Sequence, residues 1–296
     1  MYAPKYYTEF KCIADKCSHS CCIGWEIDVD CDTLEKYTAC DHSYGEKIRN
    51  SIDTTDTPHF VLCENERCPH LDQKGLCKII SELGEGYLCE ICREHPRFYN
   101  ETPHGIEVGL GMACEEACRI ILNSSEYDVI VDLDGSSEET ETTAFDPTLE
   151  RSYIYSILKD YSLSYEDRLK KLYNEYRVSP FVHSDSKWRK IINSLEYLDR
   201  SHREMFLCYT CDTSTPKEIE NELERALAYF IYRHCSEAYD YGEMCACLGF
   251  CLFCERLLCS LAKNAPDKIL SLARTVSEEI EYSIDNTQQI KEEFLF

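Results

Sequence analysis

CIADKCSHSCC, from Cys12 to Cys22, places four thiols in eleven residues, the last two adjacent. More cysteines follow in CPHLDQKGLC (Cys68 to Cys77), in CEICREHPRF (Cys89 to Phe98) and at Cys114. Three kinds of chemistry suit such a set: disulfide closure, metal binding, and redox work at sulfur. Thiolates are soft donors that favour zinc or iron–sulfur clusters over magnesium, calcium or manganese. Four of them complete either a tetrahedral zinc site or a 4Fe–4S cluster. Close spacings give several donors from one loop, and distant ones close the cage from other segments. Disulfides fit poorly. The cysteine count is 21, an odd number, in a chain of 296 residues that is long enough to build a core without staples. Adjacent Cys21 and Cys22 could join only through a strained ring.

Choosing between zinc and iron–sulfur is harder at this level. Paired C-x2-C knuckles mark zinc sites, and in this region only Cys89 and Cys92 have that spacing. The vicinal pair and wide intervals suit a cluster at least as well. A radical enzyme that cleaves S-adenosylmethionine would need C-x3-C-x2-C. Cys17 and Cys21 begin that pattern, but position 24 is glycine, so the motif fails.

Charge narrows the partners. The chain has 55 acidic and 31 basic residues, a net charge of −24. That balance disfavours nucleic acid, which needs a basic patch; it either keeps the protein soluble or attracts a cationic partner such as a lysine-bearing protein surface. Hydrophobic residues at 44% and charged residues at 29% describe a soluble globular protein. No uninterrupted apolar run reaches the length of a membrane span, and Met1 to Tyr7 lacks a basic region leading into an apolar stretch. The expectation is a cytoplasmic protein, where thiols stay reduced, with no membrane partner.

The elements that must position these residues divide at a linker. Thirteen cysteines lie from Cys12 to Cys118, none from there to Cys208, and eight from Cys208 to Cys259. DLDGSSEETETTAFDP, 132–147, is acidic, rich in Ser and Thr, and reads as a linker. The expected domains are therefore a cysteine-rich segment over 1–131 and a helical one over 148–296. The fold class is mostly α: an irregular metal- or cluster-binding N-terminal domain with short strands, then a helical bundle. GWEIDVD alternates Trp25, Ile27 and Val29 against polar neighbours and predicts a strand. DTLEKYTAC predicts a helix capped by Asp32, and GIEVGLGMAC a second extended piece. Beyond Thr148 five to seven helices are expected. One carries Leu149, Tyr153, Ile157 and Tyr161 at four-residue steps. Another, after Ser214-Thr215-Pro216 as its start, carries Ile219, Leu223, Ala226, Leu227 and Phe230, and Pro266 marks a break.

Secondary candidates are fewer. Arg93 and Arg97 sit between the ligand candidates, placed either to hold the carboxylate of a methionyl cofactor or to offset the charge of a thiolate cluster. Trp25 follows the cysteine pair and would exclude water by packing. His70 and His95 are available as bases. Cys247, Cys251 and Cys254 share a helix face, and Cys208 pairs with Cys211 at C-x2-C spacing; buried core thiols and a second metal site both fit. No G-x-G-x-x-G is present, and the GLG at Gly109 to Gly111 is too short to count.

FKCIADKCSHSCCIGWEIDVD (Phe10 to Asp30), CPHLDQKGLCKIISELGEGYLCEICREHPR (Cys68 to Arg97) and the GMAC ending at Cys114 together resemble the flagellin lysine-N-methylases. The wider relatives are proteins with the YkgJ-type cysteine cluster. The resemblance covers roughly Phe10 to Cys118. It implies a methyltransferase that uses S-adenosylmethionine on lysine amines of flagellin, with a 4Fe–4S cluster in its cysteine-rich region. By motif position, the recurring cysteines are Cys12, Cys17, Cys21, Cys22, Cys68, Cys77, Cys92 and Cys114, with Cys89 additional. Eight is twice what one cluster requires. The competing expectation is a non-enzymatic iron–sulfur or zinc protein serving in metal handling or electron transfer, and a purely structural zinc site is a third.

Overall fold

The computed structural model describes residues 1–135, 144–211 and 214–295. Contacts gather the chain into two compact units, Lys11–Pro96 and Met1–Phe10 together with Arg97–Phe296. In chain order, strand β1 (Tyr2–Pro4) opens the larger unit. The smaller unit then carries helices α1 (Cys31–Thr38) and α2 (Gly45–Arg49), strands β2 (Ile52–Asp53) and β3 (His59–Phe60), and helices α3 (Lys78–Leu83) and α4 (Glu90–Glu94). Back in the larger unit come β4 (Arg97–Thr102), β5 (Gly105–Leu110), α5 (Glu115–Asn123), β6 (Ile130–Asp132), α6 (Pro147–Leu158) and α7 (Tyr165–Tyr176). The chain continues with α8 (Asp185–Ser194), α9 (Arg200–Phe206), α10 (Glu220–His234), α11 (Tyr241–Ala262), α12 (Ile269–Val276) and α13 (Ile284–Glu292). The molecule is mostly helical, as its composition and periodicity imply.

The smaller unit has little regular structure. Its extended GWEIDVD segment buries Ile27 and Val29 and exposes Glu26 and Asp28, the alternation of a half-buried strand. It pairs only by single bridges, Phe60 N–H to the Ile27 carbonyl at 3.0 Å and Val29 N–H to Pro58 at 2.7 Å. The helix after it starts one turn-half earlier than expected. Asp30, not Asp32, caps α1, because its carboxylate accepts the Thr33 N–H at 2.9 Å.

In the larger unit the sheet runs β4-β5-β1-β6. β4 and β5 form an antiparallel hairpin from Arg97↔Leu110 to Thr102↔Gly105, and β1 lies parallel to β5. The extended piece expected at GIEVGLGMAC is thus β5. Helix α11 is the centre: α10, α12 and α13 pack on it, and α5 packs on α10 and α12. Residues 97–131, grouped by sequence with the cysteine-rich segment, therefore belong with the helices. Their apolar face, with Ala117, Ile120 and Ile121 buried, has its partners there. Of the linker expected over 132–147, residues 136–143 lie outside the described residues.

Eight α-helices follow Thr148's neighbourhood among the described residues, more than the five to seven expected. Two of them, α8 and α9, are declared by caps at Ser184 and Asp199 more than by apolar periodicity. The stripe expected on α10 is buried throughout, from Ile219 to Phe230, although its start differs: a 3-10 turn at Lys217–Ile219 leads in, and Thr215 bonds Glu166. The four-residue stripe on α6 does not hold. Of its four residues only Ile157 is buried: Leu149 is 67% and Tyr153 45% exposed, Tyr161 lies beyond the end of the helix, and Ile154, Tyr155 and Leu158 complete the core face. Helix α11 has the length and apolarity to cross a membrane, but 94% of that window is buried inside the unit, as a core helix requires.

Candidate functional site

In the smaller unit, ordinary backbone pairing brings the thiols together. The Cys22 carbonyl accepts the Cys68 N–H at 2.9 Å, and Ile23 bridges Arg67, so the opening loop lies along the start of CPHLDQKGLC. That second motif is a tight turn. The Asp72 carboxylate accepts the N–H groups of Lys74 (2.7 Å) and Leu76 (2.9 Å), and a Leu71–Cys77 bridge closes it, returning Cys77 toward Cys68. Arg67 braces the turn by donating to the Asp72 carbonyl. Cys77 and Cys89 then stand at the N-terminal caps of α3 and α4. Asp30 fixes α4 as well as α1: its second oxygen accepts the Glu90 N–H at 2.7 Å. The Tyr37 hydroxyl donates to the Tyr87 carbonyl at 2.6 Å and lies 3.5 Å from the Cys89 sulfur.

Five thiols, Cys22, Cys68, Cys77, Cys89 and Cys92, share one electrostatic neighbourhood. Burial pushes the Cys68 thiol up to about 12, with Cys22, Cys77 and Cys89 adding to the rise, and it raises Cys77 too. A hydrogen bond from Cys92 holds Cys89 below its ordinary value, and the same contact with burial drives Cys92 up. Cys22 falls to about 7, chiefly through its hydrogen bond with Cys21, and secondarily through Ser20 and Arg67 against burial. The pattern is that of thiolates crowded without a counter-charge: forming one suppresses its neighbours. A soft polyvalent cation reverses that order, and the donor chemistry fits a thiolate-bound metal or cluster. Among the described residues, no three His, Cys, Asp or Glu side chains are arranged to hold a single metal ion.

Other expected residues are placed as follows. Cys12 and Cys21 are exposed, and the half-buried Cys17 thiol donates to the His19 carbonyl at 2.8 Å. Cys114 belongs to the larger unit, where it caps α5. Cys89, set aside by sequence as additional, is one of the five neighbours; its C-x2-C spacing to Cys92 was the available signal. Arg93 pairs with Glu94 at 3.1 Å, whereas Arg97, in the larger unit, donates to the Tyr7 hydroxyl at 3.0 Å and lies over the Tyr7 and Phe10 rings. Trp25 is half-buried.

His70 is a structural residue. Its ring is fully buried, Nδ1 meets the Tyr44 hydroxyl at 3.0 Å and Nε2 meets Ser51 at 2.9 Å. Burial pulls it down to about 4. His95 is likewise held near 4 by burial, but its Nε2 has no hydrogen-bond partner. The GLG glycines serve packing: a Cβ at Gly109 would overlap the Phe98 ring, and one at Gly111 the Tyr282 hydroxyl. Cys247, Cys251, Cys254 and Cys259 are all buried in the α11 core. Cys211 donates to the Pro180 carbonyl at 3.1 Å, and Cys208 is exposed.

No protein-family model matches the chain. No solved structure matches it either. Curated proteins do. The chain is 28% identical over 137 residues to a protein of Salmonella typhimurium named lysine-N-methylase, covering 42% of this chain and 32% of that one. The Salmonella choleraesuis protein of the same name matches equally. The flagellar biosynthetic protein FliU of Salmonella muenchen is 28% identical over 137 residues, covering 42% of this chain and 77% of that one. The match thus spans about a third of the length of the two lysine-N-methylases. On these likenesses the resemblance read from the cysteine motifs stands: the chain is similar to the flagellin lysine-N-methylase type of protein.

Proposed function

We propose that this protein methylates lysine side chains of flagellin or a similar flagellar protein in the cytoplasm, with S-adenosylmethionine as methyl donor. The observation that carries this reading is the coincidence of two things in one chain. It is similar to proteins named lysine-N-methylase, and it gathers five thiols in the cysteine-rich unit that carries the motif. Cys22, Cys68, Cys77 and Cys92 are the thiols that would hold a 4Fe–4S cluster, with Cys89 adjoining as spare or alternative donor. When bound, S-adenosylmethionine supplies a methyl group whose C–S bond breaks as the C–N bond to the lysine forms. The protein's own task is to present that amine uncharged and in line. A free lysine has a pKa of about 10.4, so its proton must pass to an acceptor before transfer. His70, with both ring nitrogens engaged, is not that acceptor; His95 retains a neutral ring with an open nitrogen.

A second reading, metal handling without methyl transfer, is favoured by the exposed thiols of Cys12, Cys21 and Cys31 beside the buried ones. Two measurements separate the readings. Anaerobically purified protein should contain about four iron and four sulfide per chain, whereas stoichiometric zinc without iron would replace the cluster by a zinc site. Labelled S-adenosylmethionine with unmodified flagellin should give label on lysine. An intact cluster with no transfer favours metal handling.

A further inference from the structure

In the larger unit, the exposed side of α6 borders a cavity of about 430 Å³, within the range that holds a small ligand or one long side chain. Its wall is aromatic. Tyr176 and Tyr241 stack at 5.8 Å with a 20° interplanar angle, Tyr153 stands 45% exposed, and Leu149 closes one side at 67% exposure. Between these faces lie two carboxylates, Glu150 and Glu175. Glu150 accepts from the Tyr176 hydroxyl at 2.8 Å, and Glu175 lies near enough to Tyr153 for its charge to act on that hydroxyl. Among the described residues neither carboxylate has an ion-pair partner, and no basic residue lines the cavity. Asp146, also on the wall, is already engaged with His104 at 2.7 Å and caps α6. The negative field is felt locally: Glu175 raises the Tyr153 hydroxyl, and at Tyr241 Cys245, Glu150 and Glu175 add to the rise that burial causes, with Arg177 opposing them.

We propose that this cavity is a docking pocket for the side chain of a lysine on another polypeptide. The exposed rings of Tyr153 and Tyr241, with Leu149, receive the methylene stem, and the ammonium lies between Glu150 and Glu175. Charge complementarity selects the occupant. Electron-rich ring faces and two carboxylates that form no ion pair among the described residues attract an alkylammonium, and an apolar or acidic group would leave both carboxylates desolvated without compensation. This also explains why Leu149 and Tyr153, which a core helix would bury, are outward. The preference for lysine stands on these contacts alone; that the lysine belongs to the methylation substrate rests on the proposed function.

The test is calorimetric titration of the full-length protein with a short flagellin peptide containing one lysine, and with the same peptide carrying glutamine there. Only the lysine peptide should bind, more weakly as salt rises. Glu150→Gln combined with Glu175→Gln should weaken binding roughly tenfold, and Tyr153→Ala severalfold. Glu175 and Tyr153 are exposed, so unchanged thermal unfolding checks the fold of each variant. Equal binding of both peptides, or wild-type affinity in the double variant, overturns the pocket. Wild-type binding in a preparation that transfers no methyl group supports the pocket and counts against the methylation reading only.

Discussion

Glu281 is a buried charge of the larger unit. It sits at the end of a π-helical turn, Ser277–Glu281, fully buried, and pairs with Arg233 Nε at 2.8 Å while accepting from the Tyr229 hydroxyl. The Arg233 guanidinium is flanked by the rings of Phe98 (4.7 Å) and Tyr282 (4.5 Å). Burial alone would raise the Glu281 carboxyl, but Arg233, His234 and Tyr229 outweigh it and hold it below its ordinary 4.5. A carboxyl depressed in the folded state adds stability above its unfolded value and loses it as pH falls through the folded one. Glu281→Gln should therefore cost roughly 3–5 kcal/mol at pH 7, because it strands a buried guanidinium. It should also flatten the fall in stability below pH 4.5. Urea unfolding at pH 7 and pH 3.5 measures both. Companion replacement of Arg233 by Met should recover most of the loss, since removing both charges leaves no orphan.

At the scale of elements, α11 turns on one glycine. Gly249 lies mid-helix, where alanine ordinarily gains about 0.8–1 kcal/mol. Here a Cβ would overlap the Phe294 ring, which lies on the helix backbone. The overlap is with a ring that has no room to swing, and overpacking of this kind costs about 1–3 kcal/mol. Gly249→Ala should thus lower the melting temperature, and in a Phe294→Ala background the same change should raise it; a double-mutant cycle reads the sign reversal. The glycine is plain in the sequence, but the ring that explains it is 45 positions away, in the turn after α13. The same distinction separates what the sequence revealed from what it hid. The α10 stripe was legible because five buried apolar residues follow the helical period on one face. The α6 stripe misled because a four-residue step traces one edge of a helix that has apolar residues on two sides, and only packing partners decide which side is buried. Asp30 was missed as the cap because Asp32 satisfies the same local pattern, and the second bond to Glu90, which selects Asp30, is long-range. Cys89 was passed over since motif position ranked it as additional; its nearness to Cys92, Cys68 and Cys77 emerges only when α3 and α4 are folded.

For the whole molecule, the two units are unequal in what holds them. The larger has one continuous apolar core running through α5, α10, α11 and α12. The apolar cluster of the smaller is limited to Ile27, Val29, Tyr37, Ile48, Phe60, Cys68, Ile79 and Cys89, so two of its eight members are thiols. A core of so few side chains gives limited stability by apolar burial, and a metal or other cross-link would add to it. If the thiols hold a cluster, its binding energy is folding energy for this unit and for no other part of the chain. Calorimetry of the loaded protein should then resolve two transitions. Iron removal by an anaerobic chelator should lower one of them, the smaller unit's, by tens of degrees and leave the other within a few degrees, because the α11 core contains no site residue. Cys68→Ser or Cys77→Ser should reproduce that selective loss together with a drop in bound iron, while Cys247→Ser should lower only the larger unit's transition and keep the iron. A single transition that ignores both chelator and Cys68→Ser would mean that the five thiols are core packing and that the small unit is stable without them.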